Sequence, residues 1–163
     1  LDISKNVSYI QVFAVAKSDV DDGAGRIVSF INNAGAGARY LLGDDDTGID
    51  PEKFRVGGRR LDSDLFTEMI SDTQHGNNQK LLYGAHNYAD AEAYLYQNGV
   101  KVAENLSFQT AGATSNTTSG GSDNGIGCFN WDGDIQEVII YTDDLTDQRS
   151  AVETELNNYY GIY

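Results

Sequence analysis

The sequence predicts an all-β protein, an antiparallel β-sandwich of roughly ten or more short strands with one short C-terminal helix. Three observations carry this expectation. Short runs of β-branched and aromatic residues alternate with Gly- and Asp-rich turns along the chain. One Pro, 18 Gly and 10 Tyr suit a β-rich globule, and 40% hydrophobic residues over 163 positions can bury one core without disulfide or metal staples. The last third, Gly127 to Tyr163, reads as a buried strand, an acidic turn and an amphipathic helix.

Taken in order, Tyr9–Ala16 is apolar on both faces, as a strand in the middle of a sandwich would be. Ser18–Gly25 is a turn, Arg26–Ile31 a strand, Asn32–Gly37 a turn and Ala38–Leu42 a strand, together an expected three-strand meander. Phe54–Arg60 is a strand interrupted by Gly57-Gly58, where a bulge or a close backbone approach is expected. Leu65–Ile70 is a further apolar piece, and Ser71–Asn78 is expected as polar loop with His75 in solvent. Gln79–Asn87 and Ala91–Gly99 are strands. Asn98-Gly99 makes the two-residue hairpin turn that needs positive φ at both positions, pairing Tyr94–Tyr96 with Val100–Val102. Ala103–Asn124 contains the small-residue run TAGATSNTTSGGSDN, expected as a flexible surface loop.

Gly125–Phe129 begins the strand that leads into the tail, with Cys128 expected as a small buried hydrophobe. Ile135 and Val138-Ile139-Ile140-Tyr141 form the core strand, which Asp143-Asp144 ends. Thr146 is the expected helix cap, and Asp147 falls in the positive first turn. Val152, Leu156 and Tyr159 or Tyr160 supply the apolar stripe, and Gly161-Ile162 the stop.

This tail, from Phe129 through Gly133-Asp134-Ile135, Glu137–Tyr141, Leu145-Thr146, Arg149, Val152-Glu153, Leu156 and Tyr160-Gly161-Ile162, resembles the C-terminal signature of the laminin-G-like jelly rolls of the concanavalin A-like lectin/glucanase superfamily. The hairpin around Asn98-Gly99 and the strand Tyr9–Ala16 resemble the same family. The resemblance implies a single concanavalin A-like jelly roll over residues 1–163. With neither an initiator Met nor a signal-like hydrophobic region, the chain is expected to be a module or processed fragment of a longer protein. Since this scaffold hosts lectins, hydrolases, adhesion modules and virion appendage domains, function has to come from sites.

A net charge of −14 argues against nucleic acid, because nothing here could neutralise a run of phosphates, and no apolar run reaches the length of a membrane span. Several groups are candidates for chemistry. Asp44, Asp46 and Asp50 around Gly48 carry alternating carboxylates of the kind that hold Ca2+, the cofactor expected if any, against a reading as a solvated turn. Arg59 and Arg60 could clamp a carboxylate or sugar; pairing with Asp62 and Asp64 on an exposed edge is favoured. Tyr94 and Tyr96 fall on one strand face, where they could stack on sugar rings or only on neighbouring strands. Trp131, beside Asn130, is a core lid or a platform for a ring-shaped ligand. Asp132, Asp134 and Glu137 match the spacing of the superfamily's glycanase triad, with Asp132 where the resemblance expects a longer glutamate.

The function expected is a non-catalytic recognition or adhesion module, binding a glycan or cell-surface receptor, on an extracellular or virion appendage protein. A structural decoration domain contacting sister subunits and a laminarinase-like glycan hydrolase are the alternatives.

Overall fold

In the computed structural model, described over residues 3–19, 25–31, 38–44, 53–117 and 124–163, ten strands form two five-stranded antiparallel sheets. The strands are β1 (Tyr9–Ser18), β2 (Arg26–Ile31), β3 (Ala38–Asp44), β4 (Lys53–Gly58), β5 (Thr67–Gln74), β6 (Lys80–Asn87), β7 (Glu92–Gln97), β8 (Val100–Asn105), β9 (Gly125–Cys128) and β10 (Gly133–Tyr141), followed by helix α1 (Arg149–Tyr160). One sheet has the order β10-β1-β6-β7-β8 and the other β5-β4-β3-β2-β9. This is the predicted antiparallel jelly-roll sandwich.

Strand alternation divides the apolar residues into two layers. Val12, Ala14, Leu82 and Leu95 meet Val28, Tyr40, Leu42 and Val56 between the sheets. On the opposite face of the first sheet, Phe13, Val15, Leu81, Tyr83 and Ala85 meet Leu156, Val152, Tyr160 and Ile162. The second layer explains why β1 is apolar on both faces: one face meets the other sheet and one meets the helix.

Tyr160, not Tyr159, completes the helix stripe; Tyr159 is 82% exposed. Gly161 ends the helix in the left-handed conformation, its amide donating to the Asn157 carbonyl at 2.7 Å. The start differs from the expectation. Gln148 occupies the cap position without a side-chain bond, because the Thr146 hydroxyl and amide both donate to the Asp144 carboxylate, at 2.7 and 3.0 Å. Asp147 therefore precedes the helix, whose first turn carries no acid.

Other local expectations are also revised by tertiary partners. The first three strands are not a meander: β1 pairs with β10 and β6, and the chain changes sheets before β2. Strand β10 is the sheet's half-buried edge and not a central strand, and Cys128 is half-buried. His75 is buried against Phe54, with ring centroids 4.5 Å apart. Arg59 is buried and donates to the Asp62 carbonyl at 2.7 Å, away from any exposed edge. The expected flexible loop is tied down as far as Thr117. The Thr114 hydroxyl is bonded to the Ser4 carbonyl and the Val7 amide, and the Ser115 amide donates to the Arg60 carbonyl. Residues 118–123 lie outside the described residues.

Two expectations on close approach and turn geometry hold. A side chain at Gly58 would overlap the Arg39 carbonyl and the His86 ring. Asn98 and Gly99 take φ of 53° and 75° at the β7–β8 turn.

His86 lies wholly buried between Tyr40 and Phe108, with Nδ1 2.8 Å from the Tyr88 hydroxyl. Burial holds its pKa down to about 3, against the Arg39 carbonyl, which favours the charged form. The unfolded chain takes up that proton near pH 6.5, so below that pH the unfolded state binds more protons than the native state. The contribution to stability is complete above pH 6.5 and declines by about 1.4 kcal/mol per pH unit as pH falls toward 3. Urea unfolding at pH 7 and pH 5 is expected to show a loss of about 2 kcal/mol from this group, a slope that His86→Gln reduces.

Candidate functional site

The outer face of the first sheet presents tyrosines from neighbouring strands because β6 and β7 pair with Tyr83 opposite Tyr96 and Ala85 opposite Tyr94. Helix α1 covers part of that face, with its first residue, Arg149, reaching over Tyr96 of β7. A cleft of about 190 Å³ remains there, lined by Tyr83, Tyr94, Tyr96, Thr146 and Arg149. It is smaller than the roughly 300–1,000 Å³ of sites that enclose a drug-sized ligand, a size suited to one ring.

The cleft is held from beneath. Tyr83 and Tyr96 meet edge to face at 5.7 Å, and the Tyr83 hydroxyl donates to Gln11 Oε1 at 2.6 Å. The Arg149 guanidinium lies over the Tyr96 ring at 3.9 Å and 5.9 Å from the centre of Tyr83, while pairing with Glu153 one turn along the helix. The Tyr94 hydroxyl donates to Glu92 Oε2 at 2.6 Å; burial first, then this carboxylate, pushes the phenol pKa up, so Tyr94 stays neutral. Burial also raises Glu153, opposed by Arg149, and its Oε1 has no hydrogen-bond partner. The chemistry on offer is aromatic faces for a ring, hydroxyls for hydrogen bonds and one cation.

Of the residues lining the cleft, the sequence alone singles out Tyr94 and Tyr96 as ligand candidates and not Tyr83, Thr146 or Arg149. Tyr83 enters through the β6–β7 register, set by the turn between Asn87 and Glu92 and not by Asn98-Gly99, which joins β7 to β8. Nothing local marks Arg149, which enters only because the helix folds back over the sheet.

The remaining candidates stand elsewhere. Trp131 packs on the inter-sheet core and against the Gly25 backbone; its Nε1 is buried without a hydrogen-bond partner. Asn130 and Asp132 are exposed in the turn before β10. Asp134 pairs across from Lys17, and Glu137 accepts from the Tyr160 hydroxyl at 3.0 Å. Two strands separate β10 from β7, so these carboxylates lie about 14 Å from the tyrosine strand at ordinary strand spacing. Arg60 is spent on Thr110 Oγ1 and the Ala113 carbonyl, fastening the loop after β8.

Of the acidic triplet, Asp46 and Asp50 lie outside the described residues. Asp44 is fully buried at the end of β3, where its Oδ2 accepts from Ser18 at 2.8 Å and its Oδ1 lies 3.5 Å from His75 Nε2. Burial pushes its pKa up to about 7, against the Ser18 hydrogen bond and the Arg55 charge. Among the described residues no three His, Cys, Asp or Glu side chains converge.

No protein-family model matches the chain, and a sequence comparison with curated proteins gives no match. Solved structures do match in fold. The CBM40 of the Ruminococcus gnavus IT-sialidase, solved with α2,3-sialyllactose, is 16% identical over 91% of this chain and 87% of its own, at a TM-score of 0.65. A SAP-like pentraxin from Limulus polyphemus is 8% identical over 88% of this chain and 68% of its own, at 0.59. The receptor-binding domain of a botulinum neurotoxin C/D mosaic serotype is 15% identical at 0.60, covering 92% of this chain and 36% of that one. At identities this low the structural match establishes a shared jelly-roll sandwich fold and nothing further. Among the described residues no helix is long and apolar enough to cross a membrane.

Proposed function

We propose that this chain is a non-catalytic carbohydrate-binding module whose sugar platform is the cleft of Tyr83, Tyr94, Tyr96, Thr146 and Arg149. The observation that carries the reading is an open aromatic cleft on a rigid sheet, with a guanidinium over one ring. Sugar rings present apolar C–H faces flanked by hydroxyls, and clustered tyrosines with nearby donors and acceptors complement both. Carbohydrate binding by the CBM40 neighbours supports the reading, since their sandwich is the same. The laminin-G resemblance adds a context, recognition of a glycan or cell-surface receptor by an extracellular or virion appendage protein.

A hydrolase using Asp132, Asp134 and Glu137 is disfavoured by position: Glu137 is bonded to the helix, and the three carboxylates lie away from the cleft. A glycan array probed with the labelled chain, with and without chelator, tests the proposal. Binding to a restricted set of glycans is the expected result, with no reducing-sugar release from the bound species. A blank array, together with unshifted Tyr94 and Tyr96 ring resonances across a panel of soluble oligosaccharides, would overturn it.

A further inference from the structure

The hydroxyls of the tyrosine cleft already give their protons to the protein. The Tyr83 hydroxyl donates to Gln11 Oε1 at 2.6 Å, and the Gln11 amide nitrogen donates to the Asp143 carbonyl at 3.0 Å, which fixes Oε1 toward the tyrosine. The Tyr94 hydroxyl donates to Glu92 at 2.6 Å and the Thr146 hydroxyl to Asp144 at 2.7 Å, and an ionised carboxylate can only accept. Three of the lining oxygens therefore keep lone pairs and no free proton. A sugar hydroxyl can donate to such oxygens. A ligand carboxylate, itself only an acceptor, cannot.

The charges point the same way. Arg149 is the cation lining the cleft, and it pairs with Glu153, a buried side chain whose other oxygen has no hydrogen-bond partner. Turning the guanidinium toward a ligand carboxylate would leave Glu153 as an uncompensated buried anion. Lys101, opposite Tyr96 on β8, is bonded to Glu104. Beyond these two pairs stand Glu92 and Asp144. Glu92 and Glu104 act on the Tyr94 phenol, and Asp144 and Glu153 on that of Tyr83, so among the described residues two cations face four carboxylates around the rings. The field at the platform is net negative.

We propose that the cleft selects uncharged, hydroxyl-rich sugar residues and discriminates against residues bearing a carboxylate, resting on the reading of this cleft as the sugar platform. The aromatic faces supply adhesion to any ring, and the ring of acceptors and carboxylates supplies the selection. Such repulsive elements set specificity more than affinity.

The whole chain is screened on an array of neutral and acidic oligosaccharides, and the strongest ligand is compared with a partner made by oxidising its primary alcohols to carboxylates. The strongest ligand is expected to be uncharged, and its oxidised partner to bind about fivefold or more weakly in low salt. That gap is expected to narrow in about 0.5 M salt, and in Glu92→Gln, whose amide oxygen still accepts from Tyr94 without the charge. A strongest ligand that is acidic, or an oxidised partner bound as well as its parent, would overturn the proposal while the tyrosine platform stands, its occupancy shown by shifted Tyr94 and Tyr96 ring resonances. A gap that neither salt nor Glu92→Gln narrows would also overturn it, since shape and not charge would then discriminate. A blank array, or binding that leaves both rings unshifted, would overturn the platform and its selectivity together.

Discussion

Replacing Tyr96 with alanine is expected to weaken glycan binding by more than tenfold. Tyr96 is the middle of the cleft: its ring meets Tyr83 edge-on and carries the Arg149 guanidinium on its face. Truncation therefore removes a stacking surface and releases the cation that the ring positions. Central aromatic anchors of binding sites cost about 2 kcal/mol or more when truncated, which is a factor of about 30 in affinity. Calorimetry against the strongest array ligand measures it, with circular dichroism to confirm the fold. The substitution also costs about 1 kcal/mol of stability, from the lost edge-to-face and cation–π contacts. Trp131→Phe serves as the control, since Trp131 lies outside the cleft and its variant is expected to bind as wild type. Wild-type affinity in Tyr96→Ala would remove the cleft from consideration, and lost affinity in Trp131→Phe would move the platform to the turn before β10.

The largest stability effect is expected at Gly133. This residue starts β10 at φ 144°, a conformation that disfavours a side chain, and pairs with Ser18 at the end of β1. A Cβ there would overlap the Lys17 carbonyl oxygen and reach 3.0 Å from the Lys17 carbonyl carbon and Ser18 Cα, all of it backbone. No rotamer change relieves backbone overlap, so β1 and β10 must separate at this end of their ladder. Gly133→Ala is expected to lose about 3 kcal/mol or more. Gly76→Ala isolates the conformational part, because Gly76 has φ 56° and nothing within 4 Å of a built Cβ. It should lose about 1 kcal/mol. Urea unfolding followed by the fluorescence of Trp131, the single tryptophan, compares the two. Equal losses would show that the close approach to Lys17 does not govern the site.

Gly133 also shows how a motif can be legible without its reason. The Gly-Asp-Ile-x-Glu run resembles the laminin-G-like signature and shares spacing with a catalytic triad. In the structure the glycine serves strand closure, and Glu137 serves the helix through Tyr160. Short carboxylate spacings recur because strands alternate with period two, so spacing alone cannot separate a catalytic set from side chains holding a helix on a sheet.

His75 and Arg59 were misread for a related reason. Each lies in a polar stretch, and local polarity suggests solvent. His75 instead stacks on Phe54 and faces Asp44, a residue from a strand two places earlier in the chain, and Arg59 is buried with its guanidinium donating to the Asp62 carbonyl.

What the sequence by itself determined was the class of fold, most strand limits, the Asn98-Gly99 hairpin, the helix stripe and the glycine stop, all consequences of periodicity and turn chemistry within a few residues. It also placed Tyr94 and Tyr96 on one face. Tertiary structure alone decided that β1 and β2 belong to different sheets, that Tyr83 and Arg149 complete the cleft, and that Asp44 meets His75. The physical reason is that these depend on which strands pair and where the helix comes to rest, and such choices are fixed by burial summed over the whole molecule, to which no short stretch of chain has access.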